Sequence, residues 1–434
     1  MTRLTRRAFG LSLAAWTMFA ARAGAGEVTA KGPKNRDLTP FDDMMTAFVE
    51  KHSIPGASLA VSKNGKLVYA KGFGHADPDK KTPVRPRSLF RIASISKPFT
   101  AVAVLQLVEQ GKITLDTKVF DILNLQEKVP EGAEFDSRWK DITIRQLLQH
   151  TGGWDRDKSF DPMFRQVDFA RKFKGIPPAS PEQIIRAMLG VPLDNNPGER
   201  FAYSNFGYCL LGRVIEAATH QPYEQAVRSS VLAPLGITDM KIGRTRLGDR
   251  ARHEVRYVTP RGGRAKSIFP EDFGKPVRSP YGAFSLETLD SHGGWIASAV
   301  DLVRFASALD DESSPSILKQ STIETMFARP DGPPGQNSDG TPKAAFYALG
   351  WMVRPVGETG ANTWHSGSLD GTSTLLVRRH DGLAWAVLFN TRNTPTHIEP
   401  AGAIDPLVHQ AADQVKQWPS IDLFPQFLRE PNDS

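Results

Sequence analysis

One cysteine, Cys209, is all that the 434 residues contain. An intrachain disulfide is therefore excluded, as is a zinc or iron–sulfur site of the cysteine type. Cys209 stands in "FGYCLLGRVIEAA", an amphipathic helical pattern, and reads as a small buried hydrophobe rather than a nucleophile. No internal repeat and no low-complexity tract occurs. No Gly-x-Ser-x-Gly elbow is present, which argues against an α/β-hydrolase. No His-Glu-x-x-His is present either, since His253-Glu254 lacks the second histidine, and "GGRAKS" (Gly262 to Ser267) lacks the Gly-Lys pair of a phosphate loop. It reads as a solvated basic loop.

Charge of one sign is also scarce. The 54 Lys and Arg exceed the 47 Asp and Glu by seven, and four of those positives (Arg3, Arg6, Arg7, Arg22) precede the first acid, Glu27. The remainder is close to balanced, so the basic pI predicts no nucleic-acid partner. Long apolar runs are missing too. The longest candidate, Ala8 to Ala21, is short for a membrane span and rich in Ala, Ser and Thr. With Arg6-Arg7 before it and small-x-small sites at Ala21-Arg22-Ala23 and Ala23-Gly24-Ala25, residues 1–25 resemble a twin-arginine export signal. An ordinary signal peptide or an uncleaved anchor is the alternative. Either way the expected location is outside the cytoplasm, periplasmic or secreted, with no stable membrane span after cleavage.

Length and composition predict one large domain over 26–434, or two intimate subdomains. Thr39-Pro40 opens a helix, with Thr39 as cap. Ala57 to Lys63 and Lys66 to Lys71 flank Asn64-Gly65, a strong hairpin signal. Residues 110–280 are helix-and-loop in character, and Ser298-x-x-Asp301 has capping-box spacing. Strand character returns at Tyr347 to Val353, Ser373 to Arg379 and Leu383 to Asn390, followed by a helix from about Ile404. The expected fold is α/β of the α+β type: an antiparallel sheet flanked by helices, formed from N- and C-terminal segments (about 40–95 and 285–420), with a mostly helical region (about 100–280) inserted.

The chemistry centres on "FRIASISKPFTAVAVLQLVEQGK". Ser-x-x-Lys occurs three times, at Ser94/Lys97, Ser137/Lys140 and Ser316/Lys319, but only the first stands where a strand hands over to a helix. Ser94 is then either a helix cap beside a solvated Lys97, or a nucleophile beside its base. Helical i,i+3 spacing puts both on one face. The helix start aims N–H groups at developing negative charge. A lysine held near that positive end and partly buried would exist as a free amine. Tyr203-Ser204-Asn205 is the one Tyr-x-Asn of the chain. Tyr203 is either a core residue or a proton relay, and Asn205 either a helix cap or a ligand of Lys97. His-x-Gly occurs at His150, His292, His365 and His380; the first precedes Tyr203, the second precedes a helix and the last is a hairpin turn.

Taken in order, Ser94-Ile95-Ser96-Lys97, Tyr203-Ser204-Asn205 and His365-Ser366-Gly367 resemble the three motifs of the class C β-lactamase and penicillin-binding-protein serine hydrolases. "LLQHTGGW", "GGWIASAVDLVRFASAL" and "WHSGSLDGTSTLLVRRHDG" match as well, and the resemblance runs from about Phe41 to Asn390. It implies a β-lactamase/transpeptidase-like fold and an acyl-enzyme on Ser94, with Lys97 setting protonation states. Tyr203 would be general base, proton donor to the leaving group and activator of the deacylating water. It further implies that Asn205, His365 and Gly367 orient substrate, and that the N–H groups of Ser94 and Ser368 form an oxyanion hole. No cofactor or metal is expected, and the expected partner is a small-molecule or short-peptide substrate. β-Lactamases carry Lys where His365 stands, and a histidine is mostly neutral at pH 7. The departure favours an esterase or D-amino-acid peptidase over an efficient β-lactamase. The rival reading is a non-catalytic penicillin-binding or sensor protein that keeps the pocket; a structural cell-wall protein would make the motif order a coincidence.

Overall fold

The computed structural model describes residues 30–33, 35–310 and 317–427. The export signal expected over 1–25 lies outside the described residues, as does Ser316 of the third Ser-x-x-Lys.

The N-terminal hairpin is locally determined. β1 (Gly56–Lys63) and β2 (Lys66–Asp77) are joined by Asn64 and Gly65, both at positive φ, 48° and 74°. Such a two-residue turn matches the right-handed twist of its strands. β3 (Thr82–Pro83) adds a short edge. The late strands are β4 (Phe346–Tyr347), β5 (Met352–Val356), β6 (Gly360–Leu369), β7 (Thr372–Arg378) and β8 (Leu383–Phe389). β1 pairs with β8 from Ala57↔Phe389 to Lys63↔Leu383, so both ends of the chain close one antiparallel sheet, ordered β3-β2-β1-β8-β7-β6-β5-β4. The stretch from Tyr347 to Val353 is not one strand as expected. The chain reverses at Gly350 (φ 89°), where a Cβ would lie 2.6 Å from the Ala101 Cβ.

Five helices position the site: α1 (Thr39–Lys51), α2 (Ser96–Glu109), α3 (Asn205–Thr219), α4 (Ala299–Ser307) and α5 (Pro400–Asp413). Thr39 is the first helical residue of α1 and not its cap, because a 3-10 turn (Arg36–Leu38) runs straight into the helix. Ser298 and Asp301 form the expected capping box on α4. α5 starts at Pro400, ahead of the expected Ile404, with Glu399 accepting from the Gly402 N–H. The sheet side chains alternate with period two. Leu59, Val61, Trp385 and Val387 pack on α1 and α5, while Ala60, Ala384 and Ala386 face α4 and the helical region. α2 is buried from Ser96 to Leu105, with apolar residues on every side apart from Ser96, Lys97 and Thr100, as a helix with neighbours all round requires. Its N-terminus therefore meets the other elements at a fixed point.

Candidate active site

Ser94 sits on a 3-10 turn (Ala93–Ile95) between a two-residue strand (Phe90–Arg91) and α2. The strand pairs with Trp295–Ala297, and the Thr372 and Thr374 hydroxyls of β7 donate to the carbonyls of Arg91 (2.8 Å) and Ile92 (3.0 Å). The buried Arg91 guanidinium adds bonds to the Pro280, Arg244 and Thr245 carbonyls. Ala93 is held at φ 47°, a left-handed conformation that costs a residue with a Cβ about 1 kcal/mol or more. The strand pairing and these five hydrogen bonds fix a strained turn that presents the Ser94 side chain at the helix mouth.

Lys97, one turn on, is fully buried. Its Nζ lies 3.1 Å from Ser94 Oγ, 2.8 Å from Asn205 Oδ1 and 3.0 Å from the His292 carbonyl. Burial pushes its pKa well below the ordinary lysine value; Asp161 opposes the shift and Arg156 adds to it. A neutral amine has two N–H groups and one lone pair. In that state the Asn205 and His292 oxygens would take both N–H groups and the lone pair would be left for the Ser94 hydroxyl.

Tyr203 lies in the extended residues just before α3, whose cap is Ser204 and not Asn205. Its ring centroid is 4.7 Å from Lys97 Nζ, and its hydroxyl shares a hydrogen bond with Ser94. Burial raises its pKa above the phenol value, the Ser94 bond and Arg156 acting the other way. The resting phenol is therefore protonated. Asn205 opens α3, and its Nδ2 donates to Asp161 at 2.6 Å. That bond fixes the side-chain amide with its oxygen toward Lys97.

His365 lies on β6, ahead of the paired strands β7 and β8. Its Nδ1–H donates to the Ser366 carbonyl at 2.7 Å, so its Nε2 accepts from the Tyr347 hydroxyl at 3.0 Å. Burial, reinforced by Lys97 whenever that amine is protonated, pushes its pKa down to about 3. His365 is a neutral ring with both nitrogens occupied inside the protein. Gly367 has a steric reason: a Cβ there would stand 2.1 Å from the Ile92 oxygen and 2.4 Å from Thr374 Oγ1. Only glycine lets β6 lie against the turn that carries Ser94. Gly367→Ala should cost about 1–3 kcal/mol of stability through overpacking. The expected readout is a lowered Tm together with slower covalent labelling of Ser94.

Ser94, Arg156, Ser368 and Arg392 are shared walls of two adjoining cavities of about 360 and 340 Å³. The first also holds Asn205, Phe164, Phe284 and Leu289; the second holds Tyr203, Phe201, Tyr347, Trp364 and His365. The structure thus brings Ser94, Lys97, Tyr203 and Asn205 into direct contact, places Ser368 beside Ser94 across the cavity, and puts His365 one tyrosine away. Among the described residues no group of three His, Cys, Asp or Glu side chains is placed to hold a metal ion.

Sequence reasoning missed Arg156, Asp161, Tyr347 and the role of His150. The Arg156 guanidinium lies 4.6 Å from the Tyr203 ring centroid and 4.0 Å from Asp161. His150, set aside as a third-motif candidate because of its order, packs against Tyr203 with ring centroids 4.3 Å apart and tilted by 41°, and accepts from the Ser204 N–H through Nδ1 at 3.2 Å. The stretch "LLQHTGGW" was the signal that could have found it.

The family model described as Beta-lactamase matches residues 41–408. Protein flp of Staphylococcus aureus strain N315 is 28% identical over 369 residues, covering 84% of this chain but 66% of that protein's own length. Penicillin-binding protein 4* of Bacillus subtilis strain 168 is 27% identical over 362 residues, 81% of this chain and 71% of that protein. In fold the chain is similar to the octameric penicillin-binding protein homologue from Pyrococcus abyssi, with TM-score 0.63, 24% identity and coverage of 86% and 78%. It is likewise similar to D-amino acid amidase from Ochrobactrum anthropi SV3, with TM-score 0.63, 22% identity and coverage of 88% and 99%. A match that takes in the serine turn, the tyrosine before α3 and the β6 histidine within one continuous span leaves one assignment: this chain belongs to the beta-lactamase family.

Proposed function

We propose that this chain is an exported serine hydrolase that cleaves an amide or ester through an acyl-enzyme on Ser94. The observation that carries the reading is the buried Lys97 amine, its Nζ 3.1 Å from Ser94 Oγ and anchored on the Asn205 and His292 oxygens. Ser94 Oγ attacks the substrate carbonyl as its proton passes to Lys97 Nζ, and the carbonyl becomes an oxyanion between the N–H groups of Ser94 and Ser368. Tyr203, protonated at rest, gives its proton to the departing amine or alcohol as the tetrahedral carbon expels it. The proton held on Lys97 replaces it. A water then attacks the acyl-enzyme, losing its proton to the same pair, and Ser94 Oγ leaves with a proton. Lys97 is assigned as the base in acylation, rather than Tyr203, because burial moves the two pKa values in the directions that favour a free amine and a protonated phenol.

His365 bears on the substrate class, because the cations that line the cavity are Arg156 and Arg392 and not the residue of the third motif. A neutral ring with both nitrogens engaged offers no cation to a β-lactam carboxylate. D-Amino-acid amides or peptides and carboxylic esters are favoured. The fold neighbours called D-amino acid amidase and EstCE1, a hydrolase with promiscuous acyltransferase activity, are in keeping with that choice. Export rests on the N-terminal sequence. The test is covalent capture. A fluorophosphonate should add one mass increment, mapped to the peptide that contains Ser94. An unmodified protein, or a label elsewhere, would leave the non-catalytic binder as the better reading.

A further inference from the structure

Five large apolar side chains are exposed among the described residues: Phe164, Ile176, Leu247, Phe273 and Ile421. Exposed apolar residues scattered singly mean nothing; gathered ones do. Four of these five belong to one neighbourhood. Arg171, on the helix Gln166–Lys172, lays its guanidinium 5.3 Å from the Phe273 ring. Ile176 directly follows Gly175, whose N–H closes that helix on Ala170 at 2.8 Å. Leu247 follows Arg246, which pairs in bidentate fashion with Asp272, the residue before Phe273. Phe164 stands 6.1 Å from Phe284 and lines the first active-site cavity.

The same segments concentrate charge. From 165 to 174, Arg165, Arg171, Lys172 and Lys174 face one acid, Asp168. From 264 to 278, Arg264, Lys266, Lys275 and Arg278 face Glu271 and Asp272. All eight cations are exposed. This face carries an excess of five positive charges, whereas the whole chain from Glu27 onward carries an excess of only three. The rest of that span is thus net acidic. A second copy of the chain docked through the same face would meet it with like charge. A soluble polyanion would engage the cations but leave Ile176, at 74% exposure, and Phe273 in water. Apolar tips set among cations suit an anionic bilayer, where headgroup phosphates meet the cations and the tips enter the acyl boundary.

We propose that this face docks the protein peripherally on an anionic phospholipid surface, with the mouth of the Ser94 cavity at its margin. No step of the hydrolase reading is needed for it. Cys209 is the one cysteine and is buried, so Ile176→Cys in the full chain takes a single environment-sensitive dye. Vesicles of phosphatidylcholine with about 30% phosphatidylglycerol should shift the dye emission to the blue, and about 0.5 M salt should reverse the shift. Pure phosphatidylcholine should give a far smaller change. Charge reversal at Lys172, Lys174 and Lys275 together should lower the partition coefficient at least about ten-fold, with an unchanged Tm showing that the variant is folded. An absent shift would overturn the proposal. So would an equal shift from a dye at Ile421→Cys, outside the patch, or from polyphosphate without vesicles.

Discussion

Ser94→Ala should lower kcat/KM by about 10⁴- to 10⁶-fold, because a nucleophile that works as part of a unit takes nearly the whole covalent route with it. The variant removes one oxygen from a site whose other contacts persist. Lys97 keeps the Asn205 and His292 oxygens as acceptors, and Asn205 keeps Asp161. The turn that presents position 94 is held by Thr372, Thr374 and Arg91, none of which touches the hydroxyl. Its strain resides at Ala93, whose φ is untouched. Tm should therefore stay within a few degrees of the parent, and a competitive ligand should bind with a similar Kd. Kinetics on a short acyl ester and a D-amino-acid amide, with binding measured separately, check the expectation. Residual turnover within ten-fold of the parent would mean that water is activated directly, and no acyl-enzyme account would survive it.

How much of this was legible in advance depends on whether the determinants are local. Asn64-Gly65 announced its hairpin because both residues tolerate positive φ, and Ser298 with Asp301 announced a helix because the cap bonds lie within one turn. Ser94 and Lys97 were legible for the same reason: three residues of helix set their distance. The strand β6 was not, because its Asn, Ser, Gly and His residues have weak strand preference and hold their place only by pairing with β5 and β7. Arg156, Asp161 and Tyr347 were invisible because nothing local marks them. Each is set by where a loop of the helical region or a strand end finally rests. His365 was legible as a position but not as a chemical state. Its neutrality follows from burial and from the two bonds made to Tyr347 and Ser366.

Lys97→Arg separates charge from proton transfer. A guanidinium can donate to Asn205 Oδ1 and the His292 carbonyl, but it keeps its proton throughout the accessible pH range. If Lys97 acts by positive charge alone, the variant should retain much of its activity; if Lys97 accepts the Ser94 proton, kcat/KM should fall by about 10²- to 10⁴-fold, the usual worth of a positioned general base. We expect the fall. Labelling by a fluorophosphonate should slow in step, while Tm, which reports any overpacking by the larger head, serves as the control. The pH profile supplies an independent readout. The active form is the free amine, so kcat/KM of the parent should climb with pH through the pKa of Lys97, at a value below that of an ordinary lysine because burial disfavours the ammonium. Arg156 pushes that pKa down and Asp161 pushes it up. Arg156→Gln removes a repelling cation, stabilises the ammonium and should move the acid limb to higher pH. Asp161→Asn removes an attracting anion and should move the limb to lower pH. Opposite displacements by two neutral replacements on the same side of one amine are hard to produce by general loosening of the site. A limb that stays fixed in both variants would place the titration elsewhere and remove Lys97 from the role of base.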